Sequence, residues 1–104
     1  MLTFNPKDIS VPFFRAFDDE AMTFDGTASN GGLSLQSVTD CKVVAIRFSS
    51  GVGRIRVTGS AATTSAGYLV EAGDVVMMTF LDAQNLSGIR SGSVDLVGWV
   101  TYYR

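Results

Sequence analysis

Residues 94–104 read as a strong β-strand that is apolar or aromatic on both of its faces. Side chains of a strand alternate between two faces, so a half-solvated strand carries polar residues at every second position. This segment has no polar face. We therefore expect the strand to bury one face within its own fold and the other against a second surface, which favours assembly with other subunits.

The composition predicts one domain with more apolar surface than a monomer hides. A chain of 104 residues is long enough for one core and too short for two. Hydrophobic residues make up 46% of it and charged residues only 17%, below the usual quarter. Because soluble monomers rarely expose large apolar patches, we expect the excess to lie in contacts between subunits. The predicted domain spans residues 1–104, with residues 1–14 as a candidate N-terminal arm.

Charge and apolar runs argue against two classes of partner. The formal net charge is −2, whereas proteins that bind nucleic acid use clustered positive charge to contact phosphates. No apolar run approaches the roughly 18 residues that cross a bilayer, and the first residues lack the pattern of a signal peptide. We expect a protein made in the cytoplasm that binds neither nucleic acid nor membrane.

Catalytic and metal-binding motifs are not recognisable in the sequence. The chain has no histidine and one cysteine, Cys41, so the common serine and cysteine catalytic arrangements lack their general base and a zinc site lacks ligands. Cys41 is expected to be a small buried residue. We expect no enzyme activity, no cofactor and no metal. A calcium site remains an alternative for the cluster Asp18, Asp19, Glu20 and Asp25, although its spacing differs from an EF-hand loop and such clusters are usually solvated.

Short apolar segments alternate with Gly, Ser, Thr, Asn and Asp at the spacing of a β-sandwich or barrel. We predict an all-β fold: a single-domain β-sandwich, jelly-roll-like, of about eight short antiparallel strands and no helix. The predicted strands are residues 11–17, 21–25, 33–36, 42–49, 53–58, 68–71, 74–81 and 94–104.

Two turns connect these predicted strands in specific ways. The segment Asp18-Asp19-Glu20 is expected to be a turn, and Ser49-Ser50-Gly51 is expected to join the strands at 42–49 and 53–58 into a hairpin. Such a hairpin places Arg47, Arg54 and Arg56 on neighbouring strands. They form either a site for a partner's carboxylates or an ordinary solvated face, and the sequence does not separate the two.

Several aromatic and apolar residues are candidates for a contact surface. Trp99 and Tyr103 share one face of the last strand, where they could bind a sugar or pack on a neighbouring subunit; the second is the more common outcome. Adjacent Met77 and Met78 point to opposite sides of their strand, so one of them could leave the core for a contact surface.

The second half of the chain resembles small virion proteins of tailed bacteriophages. The resemblance lies in Tyr68-Leu69-Val70-Glu71-Ala72-Gly73-Asp74, in Asn85-Leu86-Ser87-Gly88-Ile89-Arg90 and in the closing Val100-Thr101-Tyr102-Tyr103-Arg104. It implies a β-sandwich or jelly-roll-like module of the virion, often a capsid decoration or cement protein that binds the outer surface of the head as a trimer. No catalytic residues are implied. The chain departs from such proteins in lacking a long proline-rich N-terminal arm.

The expected role is therefore that of a non-enzymatic structural protein in the virion, which stabilises the assembled head. Its expected partners are further copies of itself and the major capsid protein or another virion protein. Two rival roles remain: a tail or fibre module that binds a receptor or glycan, and a head-to-tail or tail connector that forms rings. The predicted subunit interface is Val75, Met77, Leu81, Val97, Trp99 and Tyr103. The predicted capsid contacts are Phe4, Pro6, Pro12, Phe13, Arg54 and Arg56.

Overall fold

The computed structural model describes residues 2–4, 14–34 and 40–104. These residues form eight strands and one short helix in the following order: β1 (Leu2–Phe4), β2 (Ala16–Phe24), β3 (Val43–Ser50), β4 (Val52–Arg56), β5 (Tyr68–Glu71), β6 (Val75–Thr79), α1 (Phe80–Gln84), β7 (Ser87–Arg90) and β8 (Leu96–Tyr103).

The strands build two antiparallel sheets, which confirms the predicted all-β fold. The larger sheet has the order β1-β6-β3-β8-β2 and the smaller sheet has the order β5-β4-β7. Every described pair of strands is antiparallel. The fold is sandwich-like, and the jelly-roll connectivity stays a prediction.

The core lies between the two sheets and follows the period of two along the strands. In β3, Val44, Ile46 and Phe48 are buried and Arg47 is exposed, as the sequence pattern predicts. The smaller sheet contributes Ile55 and Val70 to the same cluster. Because apolar side chains of both sheets leave water here, their burial supplies the main favourable free energy of folding.

The chain passes repeatedly from one sheet to the other, and this overturns the predicted hairpin. Strands β3 and β4 do not pair: β3 lies between β6 and β8, whereas β4 lies between β5 and β7. Gly51 joins them with a φ of +89°, and a Cβ there would collide with the carbonyl of Asp95. The chain therefore bends sharply out of the first sheet, where only glycine fits without strain.

The acidic segment Asp18-Asp19-Glu20 lies inside strand β2, so the predicted turn is wrong. Asp18, Asp19 and Glu20 pair with Tyr102, Thr101 and Val100 of β8, after a register shift between Ala16 and Asp18. Strand β2 is the last strand of its sheet, and its outer side chains reach water. The carboxylates of Asp18 and Asp19 are tolerated there because both residues are exposed to solvent.

Strand β6 is shorter than predicted because a helix begins directly after it. Thr79 has extended backbone, and its hydroxyl accepts the N–H of Asp82, which caps the start of α1. Phe80 and Leu81, predicted to continue the strand, form the first turn of this helix. The prediction of no helix is therefore wrong. Helix α1 has five residues. Among the described residues, no helix is long and apolar enough to cross a bilayer.

Other parts of the strand prediction have mixed outcomes. Leu33 is buried but belongs to no strand, and residues 35–36 of that predicted strand lie outside the described residues, as do residues 11–13 of the first one. Strand β7 was not among the predicted strands.

Candidate interaction surface

The five-stranded sheet has an outer face, which we define as the side turned away from the smaller sheet. Buried Val44, Ile46 and Phe48 mark the inner side of β3, so the residues between them mark the outer side. Antiparallel partners share a face, and the pairing therefore extends this assignment across the sheet. One row runs from Val75 of β6 through Arg47 of β3 and Trp99 of β8 to Ala21 of β2.

Trp99 is the most prominent apolar residue on this face. It is 51% exposed. Its two cross-strand partners are Arg47 and Ala21, and both are themselves exposed. Ala21 is too short to cover an indole ring, so the ring faces water on the side of β2. The inner face of the same strand, by contrast, buries Leu96, Val100 and Tyr102 completely.

The outer face is exposed unevenly. Val75 is completely buried and Ala45 is nearly so, although neither belongs to the cluster between the sheets. Their part of the face, on β6 and β3, is therefore shielded from water. The part around β8 and β2 is accessible. We call this accessible part the Trp99 surface and define it as Asp19, Ala21, Arg47, Val97, Trp99 and Thr101.

The structure brings most of the predicted subunit-interface residues onto the outer face. Val75, Met77, Val97, Trp99 and Tyr103 all occupy it. Met77, Val97 and Tyr103 are half-buried, and Val75 offers no surface to a partner because it is completely buried. Leu81 lies apart from them in α1, where it is 70% exposed.

The predicted capsid contacts fall in different places. Phe4 ends β1, where its backbone pairs with Val75, and Pro6, Pro12 and Phe13 lie outside the described residues. Arg54 and Arg56 lie on β4, and Arg54 pairs with Leu69 and Ile89 on the side of the smaller sheet that faces away from the core.

The arginines do not form the shared face that the hairpin prediction implied. Arg47 belongs to the outer face of the larger sheet, whereas Arg54 belongs to the smaller sheet. The guanidinium of Arg54 donates to the carbonyls of Thr64 and Gly67 at 3.2 and 2.9 Å. Arg56 donates to the carbonyl of Ala61 at 3.4 Å. These two side chains therefore hold the loop after β4 against the sheet.

A second exposed apolar patch on the smaller sheet was not identified from the sequence. Leu69 is 53% exposed and Val52 is 40% exposed. Leu69 pairs with Arg54, which in turn pairs with Ile89. Val52 lies between Gly51 and Gly53. These glycines indicated a turn, so the sequence did not show that β4 begins at Val52.

A shallow groove opens at one end of the sandwich, where three loops meet. The residues that line it are uncharged, and most have short side chains: Ser29, Asn30, Gly59, Ser60, Ala61, Gln84, Asn85, Leu86 and Ser87. Several of its polar groups already serve the loops. The hydroxyl of Ser87 accepts the N–H of Ala62 at 3.0 Å, and the amide of Asn30 bonds both Leu33 and Gly32. The groove is open to solvent and has no aromatic wall, so it offers little to hold a ligand.

The described residues contain no group of three or more His, Cys, Asp or Glu side chains placed to hold a metal ion. Cys41 is buried, as predicted from its residue type, and burial raises the pKa of its thiol. A thiol whose pKa is raised is a poor nucleophile at neutral pH. Trp99, at the centre of the Trp99 surface, is the largest of the exposed hydrophobic side chains among the described residues.

Comparison of the chain with protein-family models, with curated proteins and with solved structures finds no match.

Proposed function

We propose that the chain is a non-enzymatic structural protein of a tailed-phage virion, which binds the assembled head and stabilises it as a decoration or cement protein. The observation that carries the proposal is the half-exposed Trp99 in the middle of a sheet face, flanked by Arg47 and Ala21. Tryptophan and arginine are enriched at the centres of protein interfaces. The resemblance of residues 68–104 to small virion proteins supplies the kind of partner.

A cement protein needs contact surface more than it needs a chemical site. A protein that binds the assembled shell but not the dissociated shell stabilises the assembled shell by mass action. Many weak contacts, repeated over a symmetric shell, add up to strong overall attachment. The exposed strip on β8 and β2 suits contacts of this kind.

The proposal assigns the protein to the virion, with copies of itself and the major capsid protein as partners. The resemblance implies three copies in an assembly, whereas no feature of the described residues selects three copies over two. Binding of the N-terminal segment to the shell also belongs to this proposal, through Phe4, Pro6, Pro12 and Phe13, together with Arg54 and Arg56.

The direct test is binding to purified heads of the phage whose genome encodes the chain. We expect the full chain to cosediment with expanded heads and to raise the temperature at which they release DNA. Trp99→Ala should weaken this binding by about tenfold or more, as truncation of an interface centre does. Val94→Ala is the control, because Val94 is also an exposed apolar residue, at 59%, and lies outside both the Trp99 surface and the proposed capsid contacts. Equal binding by parent and Trp99→Ala chains would remove the Trp99 surface from the proposal, and failure of the parent to bind heads would remove the virion role.

The role of the N-terminal segment needs its own variant. Removal of residues 1–10 should reduce binding to heads if that segment reaches the shell. Because the deletion also removes β1, thermal unfolding of the shortened chain must first show a folded protein. Unchanged binding by a folded, shortened chain would remove the segment from the model.

A glycan-binding role is the second candidate, and one observation favours it. Thr101 and Asp19 lie beside the exposed ring of Trp99 on the same face, and sugars bind where an aromatic ring stands next to polar groups. Binding of the isolated chain to a glycan array, lost in the folded Trp99→Ala variant, would support this role over the cement role.

A further inference from the structure

We infer that two copies of this chain pack face to face through the Trp99 surface, related by a two-fold axis that passes beside Trp99. The inference deepens the proposed function by naming the occupant of that surface. It rests on the proposed function only in using the same surface, since pairing in solution needs no virion.

Two opposite charges lie on the two sides of β8 on this surface. Arg47 is the direct partner of Trp99 on one side of β8. Asp19 lies on the other side of β8, where it is the partner of Thr101, the next outward residue after Trp99. Both charged residues are exposed. With strands about 4.8 Å apart and a rise of about 3.3 Å per residue, the two positions are about 12 Å apart across β8.

This arrangement is complementary to itself. The midpoint between Arg47 and Asp19 falls on β8, between Trp99 and Thr101. A two-fold axis through that midpoint, lying in the plane between two facing sheets and perpendicular to the line from Arg47 to Asp19, places Arg47 of each copy over Asp19 of the other. The same operation brings the two indole rings together, because Trp99 lies about 2 Å from the axis at these strand spacings.

A two-fold interface requires this property, since residue i meets residue j while j meets i. The resulting contact has an aromatic centre with one ion pair on each side. Ala21 and Thr101 are small enough to let the two faces approach. Offset stacking or edge-to-face contact of the two rings adds to the burial of their exposed half.

The size of the surface predicts weak, reversible association. The exposed strip covers three strands and about four outward positions, or roughly 14 Å by 20 Å. A stable interface of standard size buries about 800 Å² on each partner, which is more than this strip offers. We therefore expect dimers that form only as the concentration approaches about 1 mM and that dissociate on dilution.

The first test follows the mass and the fluorescence of the full chain. Sedimentation between about 5 µM and 1 mM should show single copies passing to pairs. Trp99 is the one tryptophan of the chain, so its emission should shift to the blue over the same concentration range as water leaves the ring. Trp99→Ala should stay a single copy while keeping the circular dichroism and thermal unfolding of the parent.

The second test uses charge reversal. In Arg47→Glu, two negative groups would face each other at both ends of the contact, and in Asp19→Arg two positive groups would do so. Each variant alone should have a dissociation constant at least about tenfold higher than the parent. Mixed in equal amounts, the two variants should pair with each other, because both charge contacts are then restored. Glu71→Lys, on the smaller sheet, is the control that changes charge without touching this surface.

The outcomes separate the inference from the proposed function. Single copies at every concentration, three copies, or pairs that form without a shift in Trp99 emission would each overturn the two-fold contact. Dissociation constants that are unchanged in both charge-reversal variants would also overturn it. If the chain fails to pair but binds heads through Trp99, the virion role stands and the inference falls.

Discussion

The hydroxyl of Tyr102 donates a hydrogen bond of 2.6 Å to Oε2 of Glu20. The same carboxylate accepts the N–H of Ser34 on both of its oxygens, at 3.1 and 3.2 Å. Tyr102 is completely buried in β8, and Glu20 is half-buried in β2. This contact therefore ties the edge strand and the loop after it to the most buried face of the terminal strand.

Tyr102→Phe should lower the free energy of unfolding by about 1–2 kcal/mol, because it removes a hydrogen bond to a charged acceptor and leaves the packing of the ring unchanged. Urea denaturation measures the difference. Tyr103→Phe is the control, since Tyr103 is the neighbouring residue and lies on the outer face. A Tyr102→Phe variant as stable as the parent would show that the hydrogen bond contributes nothing net to folding.

The stability of the fold should also fall at alkaline pH through Tyr102. Burial, and then the hydrogen bond and charge of Glu20, raise the pKa of Tyr102 above its ordinary value. An unfolded chain releases this proton near pH 10, whereas the folded chain keeps it. Protonated Tyr102 therefore contributes its full stability below about pH 10, and that contribution declines as the pH rises further.

The measurement is the free energy of unfolding of parent and Tyr102→Phe chains from pH 8 to pH 11.5. The parent should lose up to about 1.4 kcal/mol per pH unit relative to the variant above pH 10. Parallel curves for the two chains would contradict the assignment of the alkaline loss to Tyr102.

Gly88 should be intolerant of any side chain. A Cβ at Gly88 would stand 2.5 to 2.6 Å from three ring carbons of Phe24, and Phe24 is completely buried in the core. Gly88→Ala should therefore cost about 1–3 kcal/mol through overpacking. Gly92→Ala is the control: a Cβ there meets no atom within 4 Å, and we expect a change within about 0.5 kcal/mol. Equal melting temperatures for the two variants would mean that the Phe24 ring moves without cost.

Cys41 should resist thiol reagents while the chain is folded. Its side chain is buried and its pKa is raised by that burial, so little reactive thiolate exists at neutral pH. Reaction with a disulfide reagent should be more than about tenfold faster in denaturant than in native buffer. Cys41→Ser has no thiol and gives the background signal of the reagent. Equally fast reaction in both solutions would place Cys41 at the surface.

Alternation of residue types predicted the parts of the fold in which one face is buried. Strand β3 shows this most clearly, because Val44, Ile46 and Phe48 alternate with less apolar residues, and only an extended strand turns them to one side. The same period placed Trp99 and Tyr103 on one face of the last strand, but it did not show whether that face is buried or exposed. The sequence therefore predicted the all-β class. Five of the six residues proposed for subunit contacts lie on the outer face, and their contact with another subunit stays a prediction.

Connections between strands could not be predicted in the same way. The turn at Ser49-Ser50-Gly51 suits a hairpin locally, yet β3 and β4 belong to different sheets. Which strands pair depends on burial across the whole domain, and local turn residues do not report it. The start of α1 was missed for a related reason. Phe80 and Leu81 suit a strand by residue type, whereas the hydroxyl of Thr79 caps a helix that begins at Phe80.

Asp18 and Asp19 lie on β2, the last strand of the larger sheet among the described residues, and this has a consequence for growth of the sheet. Joining two such edges side by side would bring four carboxylates together, and their mutual repulsion opposes the addition of strand to strand. This edge therefore resists the open-ended stacking that leads to fibrils. Growth of the larger sheet by added strands is therefore disfavoured on the side of β2.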